Sequence, residues 1–230
     1  FVAVDTEFVR ETTYYSQLCL IQVAGQNEEA LIDVLSPDLE MDALKELMFA
    51  PNIIKVFHSA RQDLEIFYTL WGKVPEPLFD TQIAAQVCGF AESVGYESLV
   101  NNYLKEALDK SSRLTDWSKR PLTDRQKSYA LSDVTHLRHI YKKMIQQLDQ
   151  KDRRDWVKED MEALNNPKLY FTDPEEAWKK VKARVSDPRI LARIREIAKV
   201  RETYAQENNI ARKRVLQDEN VVDIAVQRPK

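Results

Sequence analysis

The sequence predicts an α/β domain, a mixed sheet flanked by helices, followed by a smaller all-α domain. Short apolar, β-prone runs come first, and helical spacings of apolar residues then alternate with one further run. After about residue 165 the sequence becomes helical in pattern and strongly charged. The chain has 230 residues, of which 43% are hydrophobic. That is enough for one full domain and a smaller one.

Four apolar runs predict the strands of the sheet. We expect the first three to form a meander, because the polar segment GQNEE makes a turn between the second and the third. The runs are FVAVDTEF at the start, LCLIQVA at 18–24, ALIDV at 30–34 and IIKVF at 53–57.

Helical spacing of apolar residues predicts the helices that flank the sheet. The predicted helices are 41–49, 59–71 (stopped by Gly72), 81–88, 96–104 and a long helix that ends near Leu148. Thr123 is the expected N-cap of the long helix. A polar connection at 109–122 precedes it.

A segment with two prolines, NNPKLYFTDPEEAW, follows Asn165 and predicts a domain boundary. We therefore expect one domain at 1–165, and a linker with an incomplete helical domain at 166–230. The second domain is expected to be helical from Glu175 to about Ala225.

The ends of the chain and its cysteines add further expectations. Because Phe1 already lies in a predicted strand, we expect natural residues before it. We also expect the helical domain to be incomplete at Lys230. No run of about 18 apolar residues occurs, so no membrane partner is expected. Cys19 and Cys88 are too few for a disulfide framework, which predicts a reduced, cytoplasmic protein.

Charge is distributed unevenly between the two predicted domains. Residues 1–150 hold 15 basic and 22 acidic residues, whereas residues 151–230 hold 19 basic and 15 acidic ones. An acidic catalytic half would need cations before it could accept a polyanion. The basic remainder would supply phosphate contacts or simply solvate helix surfaces.

Four acidic residues and one tyrosine are the candidates for chemistry. Asp5 and Glu7 are two apart on a predicted strand and therefore share a face. Tyr129 and Asp133 are four apart on a predicted helix and also share a face. Alone, each motif also fits a structural role: a solvated strand end, a core tyrosine with its capping partner, or an ordinary surface aspartate at Asp63. Together, four carboxylates from three segments would make a hard-oxygen metal site.

The order and spacing of these motifs resemble the DEDD superfamily of exonucleases in its tyrosine variant. D-T-E-F stands near the start, H-S-A-R-Q-D about fifty residues later, and Y-x-x-x-D about seventy residues after that. The surrounding sequence is similar to that of the bacterial ribonuclease D family, in the segments QLCLIQVA, FDTQIAA and TDWSKRPLTDRQKSYALSDVTHL. The resemblance covers roughly residues 1–150.

The resemblance implies a ribonuclease H-like fold and a 3′→5′ exoribonuclease. It implies that Asp5, Glu7, Asp63 and Asp133 bind two divalent cations, Mg²⁺ or Mn²⁺, and that Tyr129 orients the attacking water. The implied substrate is RNA with a free 3′ end, such as a tRNA precursor. DNA as the substrate, or a non-catalytic nucleic-acid-binding scaffold, are the alternatives. A monomer is favoured.

Six further residues are candidate substrate contacts. Phe8 would stack on the terminal base or pack in the core, and His58 would contact substrate or be a hydrogen-bonded histidine at a strand end. Lys110 and Arg120 would contact RNA; the alternative for Arg120 is to brace the loop before the catalytic helix. The six candidates are Thr6, Phe8, His58, Gln62, Lys110 and Arg120.

The C-terminal sequence resembles the N-terminal part of an HRDC domain, a small helical bundle that binds nucleic acid. AWKKVK, LARIREIAKVRE and NNIARKRVLQDE carry the resemblance. Residues 175–214 hold 12 basic and 6 acidic residues, a balance that suits contact with phosphate.

Overall fold

A computed structural model describes residues 1–109 and 111–228. These residues form two compact units. The first comprises Phe1–Val9 and Leu18–Tyr170, and the second comprises Arg10–Gln17 together with the described residues from Phe171 onward. No helix in the described part of the chain is long and apolar enough to cross a membrane.

The first unit is built on a mixed sheet, which confirms the predicted fold class. Its strands are β1 (Val2–Val9), β2 (Gln17–Ala24), β3 (Glu29–Ile32), β4 (Lys55–Phe57) and β5 (Leu78–Asp80). The strand order is β3-β2-β1-β4-β5, so the meander of the first three is confirmed. β2 and β3 are antiparallel, whereas β1, β4 and β5 are parallel neighbours. β5 was not predicted, because three residues are too few to show an alternating pattern.

The helices of the first unit lie close to the predicted segments, except for the last of them, which the sequence did not predict. They are α1 (Asp42–Phe49), α2 (Arg61–Trp71), α3 (Thr81–Cys88), α4 (Tyr96–Leu104), α5 (Asp124–Gln150) and α6 (Lys158–Ala163). Gly72 ends α2 at φ 71°, a left-handed conformation that glycine adopts without steric cost. Thr123 caps α5 as predicted, in a capping box with Gln126.

Alternation along the strands divides the core into two layers. Ala3 and Val56 pack with apolar residues of α3, α4 and α5. Val2, Val4 and Phe57 pack with residues of α1 and α2. Because side chains alternate between the two faces of a strand, odd positions of β1 face α5 and even positions face α2.

The second unit contains α7 (Pro188–Glu207), α8 (Arg212–Val215) and α9 (Asp218–Gln227). The helical pattern expected from Glu175 onward is interrupted in the structure. Pro174–Lys180 forms a 3₁₀ helix, and residues 181–187 are not helical. The interruption has a local cause: Pro188 occupies the first turn of α7, where Asp187 caps the helix, and proline disfavours helical backbone in the residue before it.

A buried polar network holds Arg10–Gln17 within the second unit. Glu202 is fully buried on α7, and its carboxylate accepts hydrogen bonds from the Tyr14 hydroxyl and from Nε of Arg212 at 2.9 Å. Buried charge is tolerated when it is paired and hydrogen-bonded, as it is here.

Candidate active site

The C-terminal half of β1 presents two carboxylates to α5. Asp5 and Glu7 occupy odd positions of the strand, on the same face as Ala3, as their spacing predicts. Carboxylate oxygens of Asp5, Glu7 and Asp133 lie within 4.8 Å of one another. The structure therefore brings together three of the four predicted ligands from two separate elements.

Helix α5 supplies Asp133 and Tyr129, one turn apart. The Tyr129 hydroxyl hydrogen-bonds to the Asp133 carboxylate, so the phenol points into the acidic cluster. The Tyr96 hydroxyl donates to the backbone carbonyl of Asp133 from α4. These contacts fix the turn of α5 that faces β1.

Asp63 approaches β1 from the other face of the sheet. It lies in the first turn of α2, is 7% exposed, and its Oδ1 accepts a hydrogen bond of 2.5 Å from the Thr6 hydroxyl. Thr6 occupies an even position of β1, which explains why it meets α2 rather than α5. Asp63 is consequently adjacent to Asp5 without belonging to the group whose oxygens lie within 4.8 Å.

The carboxylate of Asp80 holds the turn between β4 and α2. Asp80 accepts hydrogen bonds from the backbone N–H groups of Ser59 and Ala60 at 3.0 and 2.8 Å. It also caps α3 through the N–H of Gln82 at 2.7 Å. The contacts with Ser59 and Ala60 fix the path of the chain between His58 and Asp63.

Burial raises the pKa of every acid in the cluster, and repulsion from neighbouring carboxylates adds to this effect at Glu7, Asp63 and Asp133. Burial is the largest cause in each case. The pKa of Asp5 is raised to about 6, that of Asp133 to about 8 and that of Glu7 to about 9; Asp63 is raised well above its ordinary value. Four carboxylates confined in this way are costly unless cations accompany them.

Burial and the nearby carboxylates also raise the pKa of Tyr129 above the ordinary value of a phenol. The hydroxyl is therefore protonated at neutral pH. It can donate to Asp133 and accept a hydrogen bond from another group in the cavity.

Arg113 is a cation beside the acids that the sequence did not predict. It is exposed, lies in a turn at 111–114, and lowers the pKa of both Glu7 and Asp133. Thr115 shapes the turn by donating its hydroxyl to the Ser112 carbonyl at 2.7 Å. Since Arg113 stands in a long polar segment without periodicity, nothing in the sequence distinguished it from the neighbouring charged residues.

Three of the acids, Asp5, Asp63 and Asp133, line one cavity of about 460 Å³ together with several predicted contacts. Thr6, Phe8, His58 and Gln62 are among the lining residues, as are Tyr96 and Arg113. Tyr96 was also missed, because a single aromatic residue at a helix start resembles an ordinary core residue.

Lys110 and Arg120 are the two basic residues of the loop at 109–122 that were predicted to contact substrate, and the structure describes only one of them. Lys110 lies outside the described residues. The Arg120 guanidinium pairs with Asp33 at 2.6 and 2.7 Å and donates to the carbonyl of Cys19 at 2.7 Å. Its other hydrogen bonds go to the carbonyls of Trp117 and Lys119. The structure thus places Arg120 as a brace for the loop, with its donors committed to protein acceptors.

The donor set fits hard divalent cations. Asp5, Glu7 and Asp133 offer carboxylate oxygens to a common position, and Mg²⁺ and Mn²⁺ prefer oxygen ligands. The raised pKa values show that these carboxylates repel one another and are poorly solvated without a cation. A bound cation would favour their ionised forms and so offset this cost.

A comparison with protein families identifies the first unit. A family model described as 3′-5′ exonuclease matches residues 1–149. The chain belongs to the 3′-5′ exonuclease family. The resemblance drawn from the sequence motifs is thereby confirmed, and the matched region contains all five residues of the candidate site.

Relatives within this exonuclease family include ribonuclease D from Jannaschia sp. (strain CCS1), 52% identical over 234 residues. The alignment covers all of this chain but only 61% of that relative. Escherichia coli RNase D, an exoribonuclease involved in structured RNA processing, superposes with a TM-score of 0.90 at 36% identity, over 99% of this chain and 61% of its own. The catalytic core of RRP6 from Trypanosoma brucei gives 0.74 at 26% identity, over 99% and 64%. The chain therefore spans about three fifths of the ribonuclease D relatives.

Proposed function

We propose that the chain carries the catalytic part of a 3′→5′ exoribonuclease that depends on divalent cations. The observation that carries the proposal is the convergence of Asp5, Glu7 and Asp133 within 4.8 Å, beside a tyrosine that hydrogen-bonds to one of them. Membership of the 3′-5′ exonuclease family and similarity to ribonuclease D support the same activity.

Asp5, Glu7, Asp63 and Asp133 would hold two divalent cations, Mg²⁺ or Mn²⁺. When bound, such a pair activates a water molecule and stabilises the charge that develops on the leaving oxygen. Asp5 lies next to both Asp63 and Asp133, and is therefore the ligand placed to contact both cations.

Hydrolysis at this site releases one nucleoside 5′-monophosphate at each step. The water oxygen bonds to the terminal phosphorus, the P–O3′ bond breaks, and the 3′ oxygen of the shortened RNA takes a proton. Tyr129 orients the water: its hydroxyl donates to Asp133 and keeps a lone pair for a proton of the water. It is not the base, because its pKa lies above that of an ordinary phenol.

The substrate is RNA with a free 3′ end, tRNA precursors among them, in the cytoplasm. Phe8 stacks on the terminal base, and Thr6 and Gln62 contact the substrate from the cavity wall. Arg113 contacts a phosphate, because it is an exposed cation beside the acids. Lys110 is proposed as a further RNA contact from the same loop.

The helical region beyond the exonuclease domain is proposed to be the start of an HRDC-like domain that binds nucleic acid. Its basic excess at 175–214 supports this role, because lysine and arginine supply most phosphate contacts. The protein is proposed to act as a monomer.

The test uses 5′-labelled RNA and DNA of matched sequence, each with a free or a blocked 3′ end, in Mg²⁺, Mn²⁺ or EDTA. We expect a ladder that shortens from the free 3′ end of RNA and disappears in EDTA and in Asp133→Ala. Asp124→Ala, an exposed aspartate on the same helix, is the matched control. Internal cuts or activity that survives chelation would refute the mechanism, whereas equal rates on DNA would refute only the choice of RNA.

A further inference from the structure

His58 is the one histidine among the residues that line the cavity. It follows β4 directly and lies on the same face of the sheet as Asp5 and Glu7. Its ring packs against Tyr96, with 5.1 Å between the ring centroids. This packing and the hydrogen bond described next fix the orientation of the imidazole.

The hydrogen bonds of Thr81 decide which ring nitrogen of His58 carries the proton. Nδ1 of His58 lies 3.0 Å from the Thr81 hydroxyl oxygen, and that hydroxyl lies 3.0 Å from the carbonyl oxygen of Phe57. A carbonyl only accepts, so the single hydroxyl proton of Thr81 goes to Phe57. The hydroxyl must then accept from His58, which places a proton on Nδ1.

The second nitrogen, Nε2, is therefore an acceptor if the ring is neutral. Burial lowers the pKa of His58 to about 4, and Asp80 only partly opposes this effect, so the ring is neutral at pH 7. Within residues 1–109 and 111–228, no hydrogen bond is made to Nε2. The cavity thus contains a fixed nitrogen lone pair that needs a donor from the substrate or from solvent.

Few donors are common to every RNA 3′ end, because the N–H groups of the bases differ in position from one base to another. Phosphate oxygens only accept hydrogen bonds, and they are also repelled by the carboxylates of the site. Ribose hydroxyls donate, and the 2′-hydroxyl is the group that separates RNA from DNA. The 3′-hydroxyl is common to both sugars and gives no discrimination.

We propose that Nε2 of His58 accepts a hydrogen bond from the 2′-hydroxyl of the 3′-terminal ribose and thereby selects RNA over DNA. This inference rests on the proposed exonuclease function and assigns its sugar specificity to one atom. A neutral hydrogen bond of this kind corresponds to roughly a 3- to 10-fold difference in rate between the two sugars.

The experiment measures removal of the first nucleotide from 5′-labelled RNA under single-turnover conditions. Three substrates differ only at the 3′-terminal sugar, which is ribose, 2′-deoxyribose or 2′-fluororibose. The 2′-fluoro sugar keeps a ribose-like pucker but cannot donate, so it separates hydrogen bonding from sugar conformation. A fourth substrate carries its 2′-deoxy sugar at the penultimate position.

The wild-type protein is expected to prefer the terminal ribose over both analogues by roughly 3- to 10-fold. His58→Leu is expected to lower the rate on the ribose substrate and to bring the ratio close to one. His58→Gln keeps an acceptor oxygen and is expected to retain part of the preference. His139→Leu, at an exposed position of α5, should leave the ratio unchanged.

The ratio remains informative even if a variant is less well folded, because a loss of active protein lowers all rates equally. An unchanged ratio in His58→Leu, or equal losses on ribose and deoxyribose, overturns the inference. A His58-dependent preference at the penultimate sugar also overturns it. If no substrate shortens from its 3′ end, the proposed function fails and the inference fails with it. Shortening with a ratio insensitive to His58 refutes the inference alone.

Discussion

Replacing Glu7 by glutamine should stabilise the metal-free protein while abolishing the proposed exonuclease activity. The pKa of Glu7 is raised to about 9 from an ordinary 4.5. Burial is the main cause, followed by repulsion from Asp5, Asp133 and Asp63. Glutamine has nearly the same shape but never ionises, so it removes the cost of confining this charge.

The magnitude follows from the difference in pKa between the folded and unfolded states. At pH 7.5 Glu7 stays protonated in the folded protein, whereas it is ionised when the chain unfolds. The cost in free energy of unfolding is about 1.4 kcal/mol for each of the roughly three pH units above the ordinary pKa, an upper limit of about 4 kcal/mol. Because Glu7 is only half-buried, solvent screening reduces this, and we expect about 2 kcal/mol. This corresponds to a rise in Tm of about 4–8 °C for a chain of this size.

The assay is thermal unfolding in EDTA between pH 5 and pH 9. A carboxyl whose folded pKa is raised binds more protons in the folded state, so stability falls as pH rises from about 4.5 to about 9. The wild-type Tm should therefore decrease across this range, and Glu7→Gln should flatten the decrease. Mg²⁺ or Mn²⁺ should raise the wild-type Tm most at high pH. Glu46→Gln, at an exposed position, is the control. A Glu7→Gln variant less stable than the wild type in EDTA at pH 7.5 would refute the reasoning.

Three further predictions concern single residues. Tyr129→Phe should lower kcat by about 100-fold or more with little change in KM. The pH–rate profile of the wild-type protein should rise into the alkaline range without an inflection near pH 6.5. A limb near pH 6.5 that persists in Tyr129→Phe would contradict the positioning role. Arg113→Gln should raise KM for RNA about tenfold and reduce the salt dependence of binding, whereas Lys119→Gln on the same loop should not; an unchanged KM would exclude a phosphate contact. Lys55 is fully buried, and its Nζ donates hydrogen bonds to the carbonyls of Ala50, Ile53 and Glu76. Lys55→Met should therefore lower the free energy of unfolding, measured by chemical denaturation, by roughly 2–4 kcal/mol. A loss of stability no greater than that caused by Lys45→Met, at an exposed position, would contradict this role.

Local sequence patterns predicted the elements that carry the acids. The two-residue spacing of Asp5 and Glu7 on a strand, and the four-residue spacing of Tyr129 and Asp133 on a helix, determine which side chains share a face. Thr123 and Gly72 signalled helix ends through their own backbone preferences. Such signals act within a few residues and therefore survive in a single sequence.

The parts of the structure that the sequence did not predict depend on long-range contacts. The capping of the β4–α2 turn by Asp80 joins residues about twenty positions apart. Arg113 meets Glu7 only because the loop before α5 returns to the sheet. The inclusion of Arg10–Gln17 in the helical unit depends on the contact of Tyr14 with Glu202, 188 residues away. No periodicity encodes these pairings.

Hydrolysis of the RNA 3′ end in ¹⁸O-labelled water tests the central claim most directly. Water attack on the terminal phosphorus predicts one ¹⁸O atom in the phosphate of each released nucleoside 5′-monophosphate, an unlabelled 3′-hydroxyl on the shortened RNA, and no product in EDTA or with Asp133→Asn. Release of nucleoside 3′-phosphates, ¹⁸O in the 3′-hydroxyl of the remaining RNA, or an Asp133→Asn variant as active as the wild type would contradict it.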